Sequence, residues 1–467
     1  MSTKLRPFYL LVLVGILCFP PHRAKAAVFY PTSFTLANGL QIVVVPNHLA
    51  PVVSQMVWYK VGSADENPKK TGLAHYLEHL MFRGTTNLAP GAFSKMIAEQ
   101  GGSENAFTSY DYTAYFENVA ADRLPMIMSL EADRMHNLNI TPETAAPELN
   151  VVLNERQQRT DNNPEGKFNE KTRRLLMPES PYGIPVIGWK KIIEKFTTDD
   201  ARKFYAAYYA PNNAVVIISG DVVPEQVMRL AASIYGAVPR RDLTERQALP
   251  DTGTPKQKEF TMTDIGVDQP QVQIGYVVPS YSTQKDKEAY AFEVLSDALD
   301  SGEVGVLYKA LSIERSLASG VGIGYDPDTR GDTVFTIAAT PRPGVNPQKL
   351  QTAMQDELAK LAKVGLDAKT VADAKERLQR SAIFARDSLM MPGYAFGMAL
   401  TTGHSVNDVE AWPDRLASVS VEEVNAALHK LVGDQKVLAA ILQPDKHASR
   451  AAREAAHPVL DHNAGIR

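Results

Sequence analysis

The sequence predicts an α+β fold built from two similar α/β domains, each a mainly antiparallel sheet covered by helices. Three observations lead to this prediction. The 467 residues are enough for two domains with substantial cores. β-Branched, partly alternating segments, which are typical of strands, occur in both halves of the chain. Residues 270–276 also resemble residues 51–59, and a predicted helix follows each of them, which indicates an internal duplication.

The first half contains the clearer pattern. β-Branched runs predict strands at 40–45 and 52–61, and residues 103–119 read as two strands around a Ser-Tyr-Asp turn. The apolar run at 214–221 has the composition of a buried strand. Helical periodicity predicts helices between these strands, at about 72–82, 93–100, 123–138 and 142–159.

The second half repeats the pattern more weakly. A polar, proline-containing stretch at 241–258 predicts a linker between two domains, residues 27–240 and residues 259–467. The first predicted helix of the second domain keeps Glu288, Glu293 and Asp297 but has no histidine. The predicted elements of this domain are strands at 270–276, 334–340 and 437–442 and helices at 288–299, 347–364, 368–388 and 421–432.

The first 26 residues have the composition of an export signal. Lys4 and Arg6 precede an apolar run at 8–19, and an A-x-A cleavage site ends at Ala26. We therefore predict cleavage after Ala26 and a periplasmic location. The apolar run is too short for a membrane span. Because Cys18 is the only cysteine, the predicted mature chain can form no disulfide and cannot use a thiolate as a metal ligand.

The charge and hydropathy of the sequence indicate which classes of binding partner to expect. The formal net charge is −4, and the basic residues form no tail or patch of the kind that binds nucleic acid. After the predicted export signal the sequence has no second apolar run of the kind that would predict a membrane anchor. We therefore expect neither nucleic acid nor a stable membrane anchor.

The stretch His75-Tyr76-Leu77-Glu78-His79 carries the strongest functional signal. Its apolar neighbours recur at helical spacing, so His75, Glu78 and His79 stand at i, i+3 and i+4 on one helix face. Two imidazoles there can ligate one zinc ion, and the carboxylate between them can act on a water bound to the metal. The pattern is H-x-x-E-H, the inverted zinc-protease motif. The alternative is a pair of surface histidines that happen to flank a glutamate.

A catalytic zinc ion usually has three protein ligands, so a third must come from another element. The predicted helix at 142–159 offers Glu148 and Glu155, seven residues apart on one stripe beside Val151 and Val152. Charged residues on an otherwise buried face call for a partner. A solvated helix face with i, i+4 ion pairs is the alternative. Spacing alone does not choose between the two glutamates.

These patterns make the chain similar to the pitrilysin/insulinase family of zinc peptidases, especially to its shorter members, which include mitochondrial processing peptidase. The resemblance spans most of the predicted mature chain. It rests on the motif helix, on Phe82-Arg83-Gly84-Thr85 after it, and on further matching segments: Asn38-Gly39-Leu40, Asn105-Ala106-Phe107-Thr108, Glu131-Ala132-Asp133-Arg134-Met135, residues 148–155, Pro181-Tyr182-Gly183 and Tyr209-Ala210-Pro211-Asn212-Asn213.

The resemblance implies a metal site and a reaction. One zinc ion per chain would be held by His75, His79 and the later glutamate of the pair, Glu155. The earlier one, Glu148, would support the site from behind the ligands. Glu78 would be the general base. The implied function is that of a zinc metalloendopeptidase acting on peptides or unfolded polypeptides.

The resemblance also implies how a substrate binds. In the family, the segment that matches Asn105 and Ala106 pairs with the substrate backbone as an added strand, a mode that accepts many sequences. From the residues alone, Asn105 could equally be a turn residue after Gly101-Gly102.

One departure from the family pattern lies in the second half. Active members usually carry an Arg and a Tyr there, within an R-x(several)-L-A-Y pattern, to hold the substrate and its oxyanion. Here Ser319 takes the place of the tyrosine, and Arg315 stands too close to it to be a substitute. Tyr325 could replace the tyrosine only if the alignment slips.

Some bacterial members of the family resolve such a gap by working as two different chains. We therefore predict that this chain is the zinc-bearing subunit of a heterodimer that forms a clam-shell chamber, with a homologous partner supplying the Arg and the Tyr. A homodimer is the alternative. Two other functions stay open: a catalytically inactive scaffold or assembly subunit, and a zinc-binding module without hydrolysis. The intact motif argues against a scaffold, which has no reason to keep Glu78 between two histidines.

Overall fold

The structure of the protein is a computed structural model that describes residues 28–243, 245–285, 287–300 and 302–445. The predicted export segment at 1–26 lies outside the described residues. The described part forms two similar α/β units, which confirms the predicted fold class. The strands are β1 (Thr32–Thr35), β2 (Gln41–Pro46), β3 (Val52–Tyr59), β4 (Ser103–Thr108), β5 (Thr113–Ala120), β6 (Ala214–Gly220), β7 (Glu259–Asp264), β8 (Gln271–Val278), β9 (Ala318–Tyr325), β10 (Thr333–Pro341) and β11 (Val437–Pro444).

The helices of the described part run between and after these strands. They are α1 (Leu73–Leu80), α2 (Ala92–Glu99), α3 (Leu124–Asn137), α4 (Pro142–Arg156), α5 (Pro164–Leu176), α6 (Lys190–Ile193), α7 (Thr198–Tyr208), α8 (Pro224–Ile234), α9 (Glu288–Leu299), α10 (Val306–Tyr308), α11 (Pro347–Val364), α12 (Ala368–Ala385), α13 (Met391–Thr402), α14 (Val406–Glu410), α15 (Trp412–Ala417) and α16 (Val421–Gly433).

The two sheets have the same strand order. The first runs β1-β2-β6-β3-β5-β4, and the second runs β7-β11-β8-β10-β9. Apart from the additional β1, every strand of the second sheet has a counterpart in the first, with β8 in the place of β3. Each sheet has one parallel pair, β2 with β6 and β7 with β11, among antiparallel ones. This correspondence supports the duplication inferred from the likeness of residues 51–59 and 270–276.

One face of each sheet is covered by helices of its own half. Strand side chains alternate between the two faces of a sheet. In β2, Ile42 and Val44 therefore point into the core under α1, α3 and α8, whereas Val43 and Val45 point to the opposite face. A second core forms in the same way under α9, α11 and α16.

The opposite face of each sheet is covered by a helix from the other half. In α13, Phe396 and Leu400 pack with Trp58 of the first sheet. Gly397 allows this close approach, because a Cβ added there would overlap the Trp58 ring. Reciprocally, α5 of the first half packs Phe168 and other apolar residues on the second sheet. The two halves therefore exchange one helix each, and neither sheet is covered by its own half alone.

A buried ionic network joins the two halves and the predicted linker. Arg246 of the linker and Arg330 of the second half both bind Asp65 of the first half, with N–O distances of 2.6 Å. The carboxylate of Asp111 accepts hydrogen bonds from the Tyr182 hydroxyl and from the backbone N–H of Arg330. Since Asp65 and Asp111 are almost fully buried, both depend on these donors.

Several elements were missed by the sequence patterns. The predicted strands and most predicted helix bounds agree with the structure to within a few residues. The strands β1, β7 and β9 and the helices α5 to α8, α10 and α13 to α15 were not predicted. In β9, glycines at 320, 322 and 324 leave few side chains to form an alternating pattern. The predicted helix at 142–159 is α-helical to Arg156 and continues as a π-helical turn at Gln157–Asp161.

Candidate metal centre

Helix α1 carries the His-x-x-Glu-His motif and is anchored at both its apolar face and its N-terminus. Leu73, Leu77 and Leu80 are buried in the first core. The carboxylate of Glu66 accepts hydrogen bonds from the backbone N–H groups of residues 72 and 74, both at 2.7 Å. These N–H groups have no partner within the helix, so Glu66 satisfies them. Gly72 precedes the helix with φ 97°, where a Cβ would also meet the carbonyl of Ile187.

The structure brings His75, His79 and Glu155 together. Nε2 of His79 lies 3.1 Å from Oε2 of Glu155, and Nε2 of His75 lies 3.6 Å from the same oxygen. The two imidazole rings come from successive turns of α1, and Glu155 comes from the last turn of α4, which packs against α1. One donor atom from each of the three side chains lies within 4.8 Å of the others.

The two glutamates of α4 have different places. Oε1 of Glu148 lies 2.8 Å from Nδ1 of His79, and its other oxygen lies 2.5 Å from Nε of Arg83. Glu148 is therefore behind His79, where it holds the proton on Nδ1 and turns Nε2 toward Glu155. Glu155 faces the two Nε2 atoms and is also bound by Arg159, at 2.7 Å. The tertiary structure thus separates two residues that spacing left equivalent.

Glu78 lies between the histidines on the same face of α1. Oε2 of Glu78 accepts a hydrogen bond of 2.5 Å from the hydroxyl of Thr108, at the end of the edge strand β4. This contact fixes the carboxylate beside His75 and His79. The role of Thr108 was not predicted from the sequence, and neither were those of Glu66, Arg83 and Arg159, because each depends on contacts between separate segments.

Burial and hydrogen bonding set the protonation of the motif. Burial lowers the pKa of His75 to about 4, so its ring is neutral and able to bind a metal. Burial opposes the charged form of His79, but its hydrogen bonds to Glu148 and Glu155 outweigh this effect and raise its pKa to about 9. Burial also raises the pKa of Glu78, which moves this carboxylate toward the range of a useful general base.

The donor set fits zinc. Two imidazole nitrogens and one carboxylate oxygen are the ligands of many catalytic zinc sites, which keep a further position open. Nδ1 of His75 is buried without a hydrogen-bond partner among the described residues, while Nδ1 of His79 is held by Glu148. The Nε2 atoms of both rings face the same oxygen of Glu155, where one ion would be shared.

The predicted substrate-binding residues lie on β4, next to α1. This strand is at the end of the first sheet and pairs only with β5, where Asn105 is opposite Phe116 and Ala106 is opposite Tyr115. Its other edge is not paired within the described part of the chain. The side chain of Asn105 accepts a hydrogen bond from the backbone N–H of Ala106, at 2.8 Å. The strand ends at Thr108, so this free edge leads to Glu78.

Comparisons with known proteins assign this chain to a family. Residues 41–187 match the insulinase family (peptidase family M16), and residues 195–378 match the peptidase M16 inactive domain. The zinc protease PqqE of Helicobacter pylori is 35% identical over 340 residues, which cover 71% of this chain and 74% of that protein. The chain belongs to peptidase family M16. This assignment confirms the family resemblance seen in the sequence.

Solved structures of M16 peptidases have the same fold. A protease from Helicobacter pylori aligns with a TM-score of 0.81 and 29% identity, over 89% of this chain and all of that one. The periplasmic protease PqqL of Escherichia coli aligns with a TM-score of 0.75 and 19% identity, over 91% of this chain but only 49% of that one. The second likeness concerns the fold alone. In the described part of this M16 chain, no helix has the length and apolarity needed to cross a membrane.

Arg315 and Tyr325 of the second half of this M16 chain each have a hydrogen-bond partner, although Arg315 is exposed. The hydroxyl of Tyr325 donates a hydrogen bond to the carbonyl of Pro279, and its ring packs with Phe292 and Phe335 in the second core. The guanidinium of Arg315 donates to the carbonyl of Ala353. Both side chains therefore have structural contacts of their own.

Proposed function

We propose that this chain is a zinc-dependent endopeptidase that hydrolyses peptides or unfolded polypeptides in the periplasm, with one zinc ion held by His75, His79 and Glu155. The observation that carries the proposal is the convergence of these three donors beside the carboxylate of Glu78, with His79 oriented by Glu148. Membership of a family whose relatives are named zinc proteases supports it.

The residues of this chain suit the chemistry of peptide hydrolysis. Zinc, when bound, supplies a Lewis acid that polarises the scissile carbonyl. Glu78 takes a proton from the attacking water and returns it to the leaving amine. Thr108 keeps the Glu78 carboxylate in one position through its hydroxyl. Glu148, which is itself bound by Arg83, holds the His79 ring from behind, so the ligand does not rotate during the reaction.

The free edge of β4 suits the binding of an extended peptide. A substrate that adds to this edge next to Asn105 and Ala106 would form backbone hydrogen bonds that do not depend on its sequence. Because β4 ends at Thr108, such a peptide would pass beside Glu78. Folded proteins present few extended segments of this kind, so peptides and unfolded chains are the expected substrates.

The reaction is proposed to need a second chain. An Arg and a Tyr that hold the substrate oxyanion are not presented by Arg315 and Tyr325, whose polar groups bind backbone carbonyls. A homologous partner would supply them across a clam-shell chamber. The length of PqqL, of which this chain matches 49%, is compatible with two such units acting together. Purified alone, the chain should cleave a fluorogenic peptide slowly, and full activity without any partner would contradict this part of the proposal.

Glu78→Gln tests the hydrolytic function directly. The amide keeps the size of the side chain but cannot accept the proton, so zinc content should stay unchanged while peptide hydrolysis falls by about 10²–10⁴-fold. The measurements are metal analysis of the purified protein and cleavage of a fluorogenic peptide. Glu143→Gln, at an exposed position near the start of α4, is the matched control.

The same variant separates the proposal from its main alternative. The Arg315 and Tyr325 contacts described above favour a catalytically inactive scaffold or assembly subunit. A scaffold would support assembly equally well with Glu78 or Gln at this position. Loss of function in Glu78→Gln with zinc retained would therefore exclude it, and unchanged function would favour it.

A further inference from the structure

A partly open cavity of about 380 Å³ lies beside α9, the helix of the second half that corresponds to the motif helix α1 of the first half. Helix α9 follows β8 and packs on α12, as α1 follows β3 and packs on α4. Aligning Ala289-Tyr290-Ala291-Phe292-Glu293-Val294-Leu295 with residues 74–80 places Glu293 at the position of Glu78. The same alignment puts tyrosine and valine at the two histidine positions. The cavity therefore keeps the carboxylate of the motif and has lost the ligands.

The walls of the cavity are mostly aromatic and apolar, and the carboxyl groups of Glu293 and Asp328 also line it. Tyr281, Tyr290 and Trp412 line it, together with Phe29 and a group of methionine and alanine side chains from α12 and α13. Trp412 and the hydroxyl of Tyr281 both donate hydrogen bonds to Glu293, at 3.2 and 2.5 Å. These contacts fix the Glu293 carboxylate at the cavity wall.

Asp328 gives the cavity a second carboxylate. Its side chain lines the cavity. Among the described residues, none donates a hydrogen bond to its carboxylate and none forms an ion pair with it. Burial, Asp326 and Glu293 raise the pKa of Asp328 to about 8, and burial raises the pKa of Glu293 to about 7. A positive charge beside these two groups would lower both pKa values and keep both of them ionised.

The cationic side chains near the cavity do not supply that charge. The guanidinium of Arg415 binds Asp408 and donates to the hydroxyl of Tyr290 at 2.9 Å. Burial lowers the pKa of His404, and Nε2 of its ring contacts the hydroxyl of Ser282 at 3.1 Å. An inorganic cation is a poor match, because in the described part of the chain the set of metal-ligating side chains that converges is the one at His75, His79 and Glu155.

We propose that this cavity binds a small organic cation, a primary amine with an apolar chain, between the aromatic rings and the carboxylates of Glu293 and Asp328. The ammonium group donates hydrogen bonds to the two carboxylates and lies against aromatic faces, which attract cations. The apolar chain fills the part of the cavity lined by methionine and alanine. The volume is within the range of small-molecule sites. The site is separate from peptide hydrolysis and does not depend on the function proposed above.

The test uses the zinc-loaded chain and three probes of equal length: n-hexylamine, 1-hexanol and hexanoate. Binding is followed by tryptophan fluorescence, since Trp412 lines the cavity, and by thermal shift. We expect n-hexylamine to bind saturably and to raise the melting temperature, with 1-hexanol and hexanoate at least about tenfold weaker. Equal binding of the alcohol and the amine would overturn the proposal, because the cavity would then bind only apolar chains.

Substitutions locate the binding. Asp328→Asn and Glu293→Gln should each weaken n-hexylamine at least about tenfold, because each leaves one carboxylate for the ammonium group. Glu78→Gln should leave amine binding unchanged and thereby exclude binding at the metal centre. Circular dichroism checks the folding of each variant. Undiminished affinity in Asp328→Asn would contradict the proposal, and if both variants fail to fold, the three probes on the unmodified chain still decide the question.

Discussion

Helices α1 and α9 occupy the same position in the two halves but carry different side chains. Both follow a central strand, both bury leucine residues in their own core, and both present a glutamate at the same position. Around Glu78 stand two histidines and the glutamates of α4. Around Glu293 stand two tyrosines and Trp412. The apolar positions of these two helices therefore maintain the fold, while a few polar positions decide whether the helix offers metal ligands.

The surroundings of the two glutamates differ in the same way. The edge strand β4 holds Glu78 through Thr108, so this carboxylate stays next to a strand edge that is open to a peptide. Glu293 is held by Tyr281 and Trp412 and faces a partly open cavity lined by aromatic and apolar side chains. The first position is the one that we propose to act on extended substrates, and the second is the one that we propose to bind a small molecule.

The largest effect is expected from making the first motif resemble the second. In His75→Tyr, the helix carries the residue that α9 has at the same position, so the fold should be retained. The variant should not bind zinc. Without zinc the reaction loses several kcal/mol of transition-state stabilisation, so the hydrolysis rate should fall by about 10³-fold or more. Metal analysis and peptide cleavage measure both effects. A variant that kept its zinc would show that His75 is not a ligand.

The second prediction compares buried and exposed pairs on corresponding helices. Arg134 of α3 is bound by Glu131 and Glu117 in the core, with all three side chains almost fully buried. In α11, Lys360 forms the equivalent i, i+3 pair with Glu357, but Lys360 is 63% exposed. Arg134→Met leaves two buried carboxylates without a cation and should lower the free energy of unfolding by about 3–5 kcal/mol.

Lys360→Met is the control for that change. Because its ammonium group is in solvent, the substitution should shift the urea midpoint far less than Arg134→Met does. Urea unfolding followed by circular dichroism measures both variants. Similar shifts would mean that the buried group of Arg134, Glu131 and Glu117 contributes no more to the free energy of unfolding than a surface ion pair does.

The third prediction concerns the carboxylate behind the metal ligand. In Glu148→Gln, His79 loses the acceptor that fixes its ring and its proton, so zinc affinity should fall by about 10–100-fold while the fold is retained. Competition with a zinc chelator measures the affinity. An effect as large as that of His75→Tyr would indicate that Glu148 is itself a ligand.

The smallest effect is expected from a substitution of Thr108, at the end of the edge strand β4. Thr108→Val removes the hydroxyl that donates to Glu78 and changes little else in size. The carboxylate of Glu78 stays in place without this bond, so we expect the loss to be at the lower end of the range for a hydrogen bond to a charged group, about 1.5 kcal/mol, and the rate to fall about tenfold. Zinc affinity should not change. Steady-state kinetics would separate this loss from weaker peptide binding, which would raise KM instead.

The sequence by itself determined the features that depend on local spacing. The i, i+3, i+4 arrangement of His75, Glu78 and His79 follows from helix geometry, and the apolar periods of both halves predict their cores and their likeness. The long helices α9 and α11 were predicted to the residue, because their patterns are strong over many residues.

Only the tertiary structure decided what depends on contacts between distant segments. It places Glu155 before the histidine Nε2 atoms and Glu148 behind them, a choice that seven-residue spacing leaves open because both share one helix face. It also caps α1 with Glu66, brings Thr108 to Glu78 and exchanges α5 and α13 between the halves. These contacts join residues whose separation along the chain carries no periodic signal, so the packing of the sheets and helices alone brings them together.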